Sequence, residues 1–216
     1  MALSADAVKR RTAVFRKVLN RAHTLYARLV MNGYTDKGGA TPQALRQPDR
    51  RDIAQFIFFE TAAEFEALVR DLFLIEVRKR LVDSRQRALY VMGHSDYGVQ
   101  GVHGWGDIKQ VRNRATNLFG RSGFFARSYE ILGSALYVRL TLAHRLRNRI
   151  AHPGPSTASA YRKALAGLGV PKRSRKGAGV GRVLVDYPLK SSTSDRCFHR
   201  LLDAYLEFAN EADANL

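Results

Sequence analysis

The sequence predicts a mostly α-helical protein, built as a helical bundle with irregular loop insertions. Long stretches carry apolar residues at intervals of three or four, the spacing that places side chains on one face of an α-helix. Gly and Pro residues, which interrupt helices, stand between these stretches. Residues 183–185 are a candidate for a short strand or an extended segment. From the helical stretches, we expect about four long or medium helices to form the bundle.

Two long helices are predicted in the first part of the chain. The first covers about residues 4–31, with Ser4 as its N-cap. Its apolar residues at helical spacing are Val14, Val18, Leu25 and Leu29. The second helix covers about residues 49–82, and its continuous apolar face consists of Phe58, Ala62, Phe65, Val69 and Leu72. Because further apolar residues lie on its other sides, we expect this helix to be central or to face a second subunit.

Further helices are predicted at residues 107–118, 126–151, 159–168 and 194–210. The helix over residues 126–151 is expected to bury a stripe formed by Leu132, Leu136, Leu140, Ala143, Leu146 and Ile150. The last helix is expected to bury Phe198, Leu201, Leu202, Tyr205 and Phe208. Residues 83–106 and the basic, Gly-rich residues 171–181 are predicted to be loops.

The charge of the chain indicates a polyanionic partner. Its 216 residues include 36 Lys and Arg against 19 Asp and Glu, which gives a net charge of +17. Because Arg matches phosphate geometry and stacks on bases, this excess favours nucleic acid over a membrane surface. The single Cys197 excludes a disulfide framework and is typical of a reducing compartment. A length of 216 residues is typical of one domain, so we expect a single domain over residues 1–216. Since neither a secretory signal nor a membrane-spanning apolar run is recognisable, we expect this domain to be cytoplasmic.

The hexapeptide RNRIAH at residues 147–152 carries residue types that can cleave RNA without a metal. Such cleavage needs a base for the 2′-OH, an acid for the leaving 5′-oxygen and a cation for the phosphorane. His152 suits the proton transfers near neutral pH, and Arg147 suits the charge stabilisation. Asn148 can bond a free carbonyl at the helix end, orient His152 or hold a phosphate. Because Pro153 disfavours helical geometry before it, His152 is expected at the helix C-terminus or just past it.

A second Arg–x4–His pair precedes the hexapeptide. Arg139 and His144 have the same spacing, and such matches arise by chance in an Arg-rich chain. Three features favour the hexapeptide: Asn148 directly follows its Arg, it falls at a helix end, and a Pro–Gly turn follows it. Helical spacing places His144 one turn from Asn148 on the same face, so His144 is a candidate supporting residue.

RNRIAH followed by a Gly-containing turn resembles the signature of the HEPN superfamily. The apolar helix with FFETAAEFE at residues 58–66, and NLFG at residues 117–120, are similar to the corresponding parts of its RiboL-PSP group. The resemblance covers a motif-bearing core of about residues 51–154, beyond which residues 155–216 add the basic loop and the C-terminal helix. It implies a HEPN-like helical bundle that dimerises with the motif helices facing each other, so that two copies line one composite cleft.

This resemblance implies a metal-independent endoribonuclease that needs no cofactor and serves as a toxin or phage-defence effector. Its products would carry a 2′,3′-cyclic phosphate and a 5′-OH. Arg147 and His152 would be the catalytic residues, and Asn148 would be the polar residue that follows the Arg. Besides RNA and a second copy of the chain, the candidate partners are an antitoxin or a larger defence complex.

Other basic residues are candidates for RNA binding: Arg112, Arg114, Arg149, Lys172, Arg173 and Arg175. Their alternative is a solvated basic face. Trp105 is expected to pack its loop onto the core rather than to stack on a base. Since no compact carboxylate and His cluster accompanies His94, His103 and His144, no metal site is predicted at these residues.

Two other functions stay open at the level of the sequence. A non-catalytic nucleic-acid-binding module would act by charge alone, and its function would survive the loss of His152. A helical interaction subunit of a toxin–antitoxin or defence complex would bind little nucleic acid at physiological salt, where electrostatic binding is weak.

Overall fold

The computed structural model describes residues 2–31, 45–80, 104–187 and 196–216. These ranges contain eight α-helices and one π-helical segment, joined by turns. The helices are α1 (Ala2–Leu25), α2 (Gln47–Arg80), α3 (Ile108–Phe119), α4 (Ser128–Ala151), α5 (Pro155–Gly167), α6 (Lys172–Arg175), α7 (Val180–Asp186) and α8 (Cys197–Asn215). The π-helical segment, Tyr26–Met31, follows α1 directly. The described ranges contain no β-strand, so the mostly-α prediction is confirmed.

The described residues belong to two compact units, and helices α1, α2, α4 and α8 each contribute a segment to both. The first unit comprises Met1–Arg16, Ala63–Thr141 and Tyr205–Leu216. The second unit comprises Lys17–Ala62 and Leu142–Ala204 and contains the hexapeptide. A single domain over the whole chain stays a prediction.

Local chemistry determines where α3 begins and where the regular part of α4 begins. The side chain of Asp107 caps α3, because its carboxylate accepts hydrogen bonds from Lys109 N at 3.0 Å and Gln110 N at 3.4 Å. Helix α4 is interrupted at Gly133, where φ is 70° and ψ is 160°. The regular helix that leads into the hexapeptide therefore begins after Gly133 and ends at Ala151.

The apolar face predicted for α1 has the wrong phase. Val14 is 51% exposed, and Val18 is only half-buried. The buried residues of α1 and the π-helical segment are instead Val8, Thr12, Phe15, Leu19, Ala22, Tyr26 and Val30. Two rows of apolar residues run along this helix, and the row with the aromatic side chains is buried because it removes more apolar area from water.

Residues 171–187 also differ from the expectation of a loop and a short strand. Residues 172–175 form the single turn α6, and residues 183–185 lie within α7. All three apolar side chains of residues 183–185 are buried. A short apolar run of this kind fits a buried helix as well as a strand, and its periodicity does not separate the two.

Aromatic side chains form the core of the first unit. The rings of Phe65 and Tyr205 stack with centroids 4.2 Å apart, and those of Phe73 and Phe125 are 5.4 Å apart. Trp105 joins this core, since its ring lies 5.3 Å from that of Phe73. The prediction that Trp105 packs its segment onto the core is therefore confirmed.

A buried carboxylate holds the segment before α4. Glu76 is fully buried and accepts hydrogen bonds from Phe124 N at 2.7 Å and Phe125 N at 3.2 Å. Arg80 Nε lies 3.0 Å from the same carboxylate and compensates its charge. The preceding Gly123 has a φ of 98°, and a Cβ there would lie 2.1 Å from Glu76 Oε1, so only glycine fits.

The second unit packs the start of α8 against the π-helical segment. The rings of Tyr26 and Phe198 stack with centroids 4.1 Å apart. Cys197 is buried beside them, and burial raises the pKa of its thiol to about 12, so this side chain serves as packing.

Two histidines form a stacked pair in the second unit. The rings of His23 and His199 are nearly parallel, with centroids 5.2 Å apart, and their Nδ1 atoms are 3.0 Å apart. This contact needs one nitrogen that donates and one that accepts, so a proton on both Nδ1 atoms would break it. Burial lowers the pKa of His23, although the nearby carboxylate of Asp203 opposes this effect.

This pair predicts a loss of stability in mild acid. Because the pKa of His23 is lower in the folded state, the unfolded chain binds more protons below the ordinary pKa of about 6.5. We therefore expect the unfolding temperature to fall between pH 7 and pH 5, and His23→Gln to reduce that fall. The exposed His152 provides the control, since His152→Gln should leave the pH dependence of the unfolding temperature as in the wild type. An unchanged pH dependence in His23→Gln would contradict the prediction.

Candidate functional site

The hexapeptide lies where α4 ends, as the sequence predicts. The last helical backbone bond is donated by His152 N to Asn148 O at 2.9 Å, and Pro153 follows. His152 is exposed, and its imidazole makes no hydrogen bond with any residue in the described ranges. The ring is therefore accessible to a ligand, which a histidine that transfers protons to or from a substrate requires.

Arg147 is held against helix α2. Its guanidinium carbon lies 5.5 Å from the centre of the Phe59 ring, in cation–π geometry. Its Nη1 donates a hydrogen bond of 3.4 Å to Asn148 Oδ1. The side chain is half-buried, and in such a partly desolvated position a guanidinium stabilises a phosphate more strongly than it would in water.

Asn148 links Arg147 to His144. Because its Oδ1 accepts from Arg147, its Nδ2 faces His144 and donates to Nε2 at 2.9 Å. This contact requires a His144 ring whose Nε2 carries no proton. The structure thus brings His144 and Asn148 together, as their helical spacing predicts, and their supporting role stays a prediction.

Arg149 fixes the turn after the helix. Its Nη1 donates to Pro153 O at 2.5 Å and to Gly154 O at 2.7 Å. The hydroxyl of Thr157 donates to His152 O at 2.5 Å and closes the turn from the other side. These bonds satisfy the carbonyl groups of the turn that follows α4 and set the direction in which the chain leaves His152.

The two Arg–x4–His pairs have different surroundings. Arg139, the first residue of the earlier pair, forms a two-pronged ion pair with Glu207, and its Nη1 lies 2.8 Å from Oε1. A carboxylate thus already occupies the guanidinium edge with which Arg139 could bind a phosphate. His144 accepts the hydrogen bond from Asn148, as described above. These contacts favour the hexapeptide over the earlier pair.

A basic cavity of about 810 Å³ adjoins the hexapeptide within the second unit. Ile150, which the sequence places in the buried stripe of α4, is only half-buried and lines this cavity together with Pro153. The cavity has five cationic side chains, and no described Asp or Glu lines it. The five are Arg149, Arg162, Lys172, Arg175 and Lys176.

The cavity contains three of the predicted RNA-binding residues and two further cations: Lys176, from the basic run at residues 172–176, and Arg162, which the sequence did not indicate. Lys172, Arg175 and Arg149 line it, whereas Arg173 is exposed outside its lining. Arg162 was missed because only the packing of α5 beside the segment after α6 brings it to the other cations. A single basic residue on a short helix gives no signal of this contact along the sequence.

Arg112 and Arg114 lie in the first unit, on α3. Arg112 lies over the ring of Tyr129 at 5.7 Å, and Arg114 lies over the ring of Trp105 at 5.1 Å. These contacts give both residues a packing role. Their part in RNA binding stays a prediction.

Two further expectations concern metals and membranes. His94 and His103 lie outside the described residues, and within the described ranges no three His, Cys, Asp or Glu side chains come together as a metal site would require. None of the helices that the structure describes combines the length and the apolar character that crossing a membrane requires.

Comparison with known proteins identifies no relative of this chain. The chain matches no protein-family model, no curated protein and no solved structure.

Proposed function

We propose that this protein is a metal-independent endoribonuclease in which His152 and Arg147 act on the RNA phosphodiester. The observation that carries the proposal is the exposed imidazole of His152 just past the end of α4, in the same hexapeptide as an Arg147 anchored on Phe59. The basic cavity beside the hexapeptide supports a polyanionic substrate.

The chemistry follows from the side chains. One imidazole takes the proton of the ribose 2′-OH, whose oxygen attacks the adjacent phosphorus, and the bond to the 5′-oxygen breaks. Arg147 stabilises the dianionic phosphorane, and an imidazolium donates a proton to the leaving oxygen. The products are a 2′,3′-cyclic phosphate and a 5′-OH, and no water is consumed in this step.

Within the described ranges, one copy of the chain supplies a single accessible imidazole at the hexapeptide, that of His152, because the Nε2 of His144 is engaged by Asn148. A homodimer that joins two hexapeptides would supply both a base and an acid, and this is the assembly that the HEPN resemblance implies. The exposed ring of Phe56 on α2, one turn before Phe59, supports an apolar contact near the site. Such a ribonuclease suits a cytoplasmic toxin or phage-defence effector that an antitoxin or a defence complex restrains.

The dimer is tested by placing a charge on this ring. We expect sedimentation velocity to find a dimer for the wild type, and Phe56→Asp to shift it to a monomer with little residual cleavage, because a buried unpaired carboxylate opposes association. Val138→Asp, at another exposed apolar position, should leave the dimer intact. A dimer that persists in Phe56→Asp would remove Phe56 from the interface.

The activity is tested with purified protein, total RNA and EDTA. We expect cleavage in the presence of the chelator, with fragments whose 5′ ends accept a labelled phosphate from polynucleotide kinase without prior phosphatase treatment. RNA that is bound but not cut would favour the non-catalytic binding module instead. Weak binding at physiological salt together with no cleavage would favour the helical interaction subunit.

A further inference from the structure

The basic cavity carries more charge than a typical small-molecule pocket. Such pockets place only a few polar groups among apolar side chains and enclose most of their ligand. Here five cations line the space, and three of them, Arg162, Lys172 and Lys176, are exposed at their positions on α5, on α6 and after α6. Cations that remain accessible to solvent fit a charged polymer that passes along the surface, because its phosphates stay partly hydrated.

The cavity has a firmly held wall. Tyr161 Oη donates to Ala178 O at 2.8 Å, and Arg175 Nε donates to Val170 O at 2.8 Å. Burial raises the pKa of Tyr161, so this hydroxyl stays protonated and keeps its bond. These contacts fix the backbone from which Lys172 and Lys176 extend, and a preorganised backbone lowers the entropic cost of binding.

Helix α2 closes the other side of the same wall. Gln55 Oε1 accepts from Gly181 N at 3.3 Å, and Arg51 Nη2 pairs with Asp186 at 2.6 Å. The backbone at Gly181 comes so close to α2 that a Cβ would lie 2.2 Å from Arg51 O. The ion pair with Arg51 compensates the negative charge of Asp186, so the net charge of the cavity stays positive.

The cavity is continuous with the hexapeptide. Arg149 and Pro153 line it, and the exposed His152 lies between them in the sequence. On α2, Gln55 lines the cavity, and Phe59, one helical turn later on the same face, carries Arg147. A strand whose phosphate reaches Arg147 and His152 can therefore continue into the cavity.

We infer that this cavity is a binding subsite for successive backbone phosphates of the RNA strand that flanks the scissile bond, with Arg162, Lys172 and Lys176 as its main contacts. The identity of the ligand as RNA rests on the proposed function. The subsite recognises phosphate and not base, since its lining offers cations and few free polar groups of other kinds. It lies largely in residues 155–180, beyond the part of the chain that resembles the HEPN superfamily.

The test measures binding without cleavage. A fluorescent RNA 20-mer with 2′-O-methyl groups throughout cannot be cut by 2′-OH attack, and its affinity is measured by anisotropy at several salt concentrations. We expect the triple variant Arg162→Gln, Lys172→Gln, Lys176→Gln to bind on the order of 10- to 100-fold more weakly at 0.1 M salt, with the salt slope reduced by about 2, since each single-strand phosphate contact contributes about 0.7.

A matched triple variant controls for net charge. Lys17→Gln, Arg21→Gln, Arg28→Gln removes the same three charges from exposed positions of the second unit and should reduce the slope far less. Equal reductions in both triple variants would overturn the inference, because charge alone would then explain binding. Displacement of the RNA by equimolar ATP would also overturn it, in favour of a site for a free nucleotide.

Further readouts separate failure of the subsite from failure of folding or of the nuclease. Thermal unfolding confirms that the triple variant is folded, and the single variant Lys172→Gln, with about a third of the slope change, replaces it if it is not. In one outcome, the wild type does not cut RNA in EDTA, and the salt slope of RNA binding falls in the cavity triple variant but not in the control triple variant. The nuclease proposal then fails, and the phosphate-binding subsite is supported. If RNA is cut while both triple variants bind alike, the subsite fails alone.

Discussion

Replacement of His152 by Ala is expected to lower the rate of RNA cleavage by about 10²- to 10⁴-fold, the contribution of a general acid or base. Arg147→Ala is expected to lower the same rate by about 10²- to 10³-fold, because the phosphorane loses its fixed cation. Both variants should still bind the uncleavable RNA, since the cations of the basic cavity remain. The measurement is the single-turnover cleavage rate of total RNA in EDTA, with identification of the product ends.

Two matched variants show whether the loss belongs to the hexapeptide. Arg145→Ala removes a half-buried Arg from the same helix, and Arg139→Ala removes the Arg of the earlier pair, whose partner is Glu207. Both should cut RNA at rates close to that of the wild type. If Arg139→Ala abolishes cleavage and Arg147→Ala does not, the earlier pair is the active one. If every variant cuts alike, the activity does not come from either pair.

The second large effect concerns stability and the buried Glu76. Glu76→Ala is expected to destabilise the fold by about 3 kcal/mol, because two backbone N–H groups lose their acceptor and the ion pair with Arg80 is broken. For a chain of this size the unfolding temperature should fall by roughly 10 °C. Differential scanning calorimetry at pH 7 measures the change.

Glu64→Ala provides the control, since Glu64 is an exposed residue of the same helix and its removal should change stability little. Gly123→Ala tests the same cluster from the other side, because its Cβ would collide with the Glu76 carboxylate. Stability that is unchanged in both Glu76→Ala and Gly123→Ala would contradict the structural role of this cluster.

The helical class was predictable because it depends on local patterns. The faces of α2 and α8 repeat at helical spacing over many residues, and all the predicted positions, such as Phe58 and Phe198, are buried. The face of α1 was not predictable in the same way, because it carries two apolar rows. Only the partners in the fold decide that Phe15 is buried and that Val14 is not.

The same distinction applies to the candidate site. The position of His152 just past α4 follows from Pro153, which acts on its immediate neighbour in the chain. The contact of Arg147 with Phe59 and the pairing of Arg139 with Glu207 join residues far apart in the sequence. No local pattern distinguishes an Arg that meets a carboxylate from one that meets an aromatic ring.

The sequence by itself therefore determined the mostly helical class, the strong positive charge and the place of the hexapeptide at a helix end. These properties depend on composition, on periodicity and on steric effects between neighbouring residues. The tertiary structure alone decided which Arg is engaged by a carboxylate, which one lies against an aromatic ring and which cations share the basic cavity. Each of those outcomes depends on contacts between separate segments, and such contacts exist only once the helices have packed.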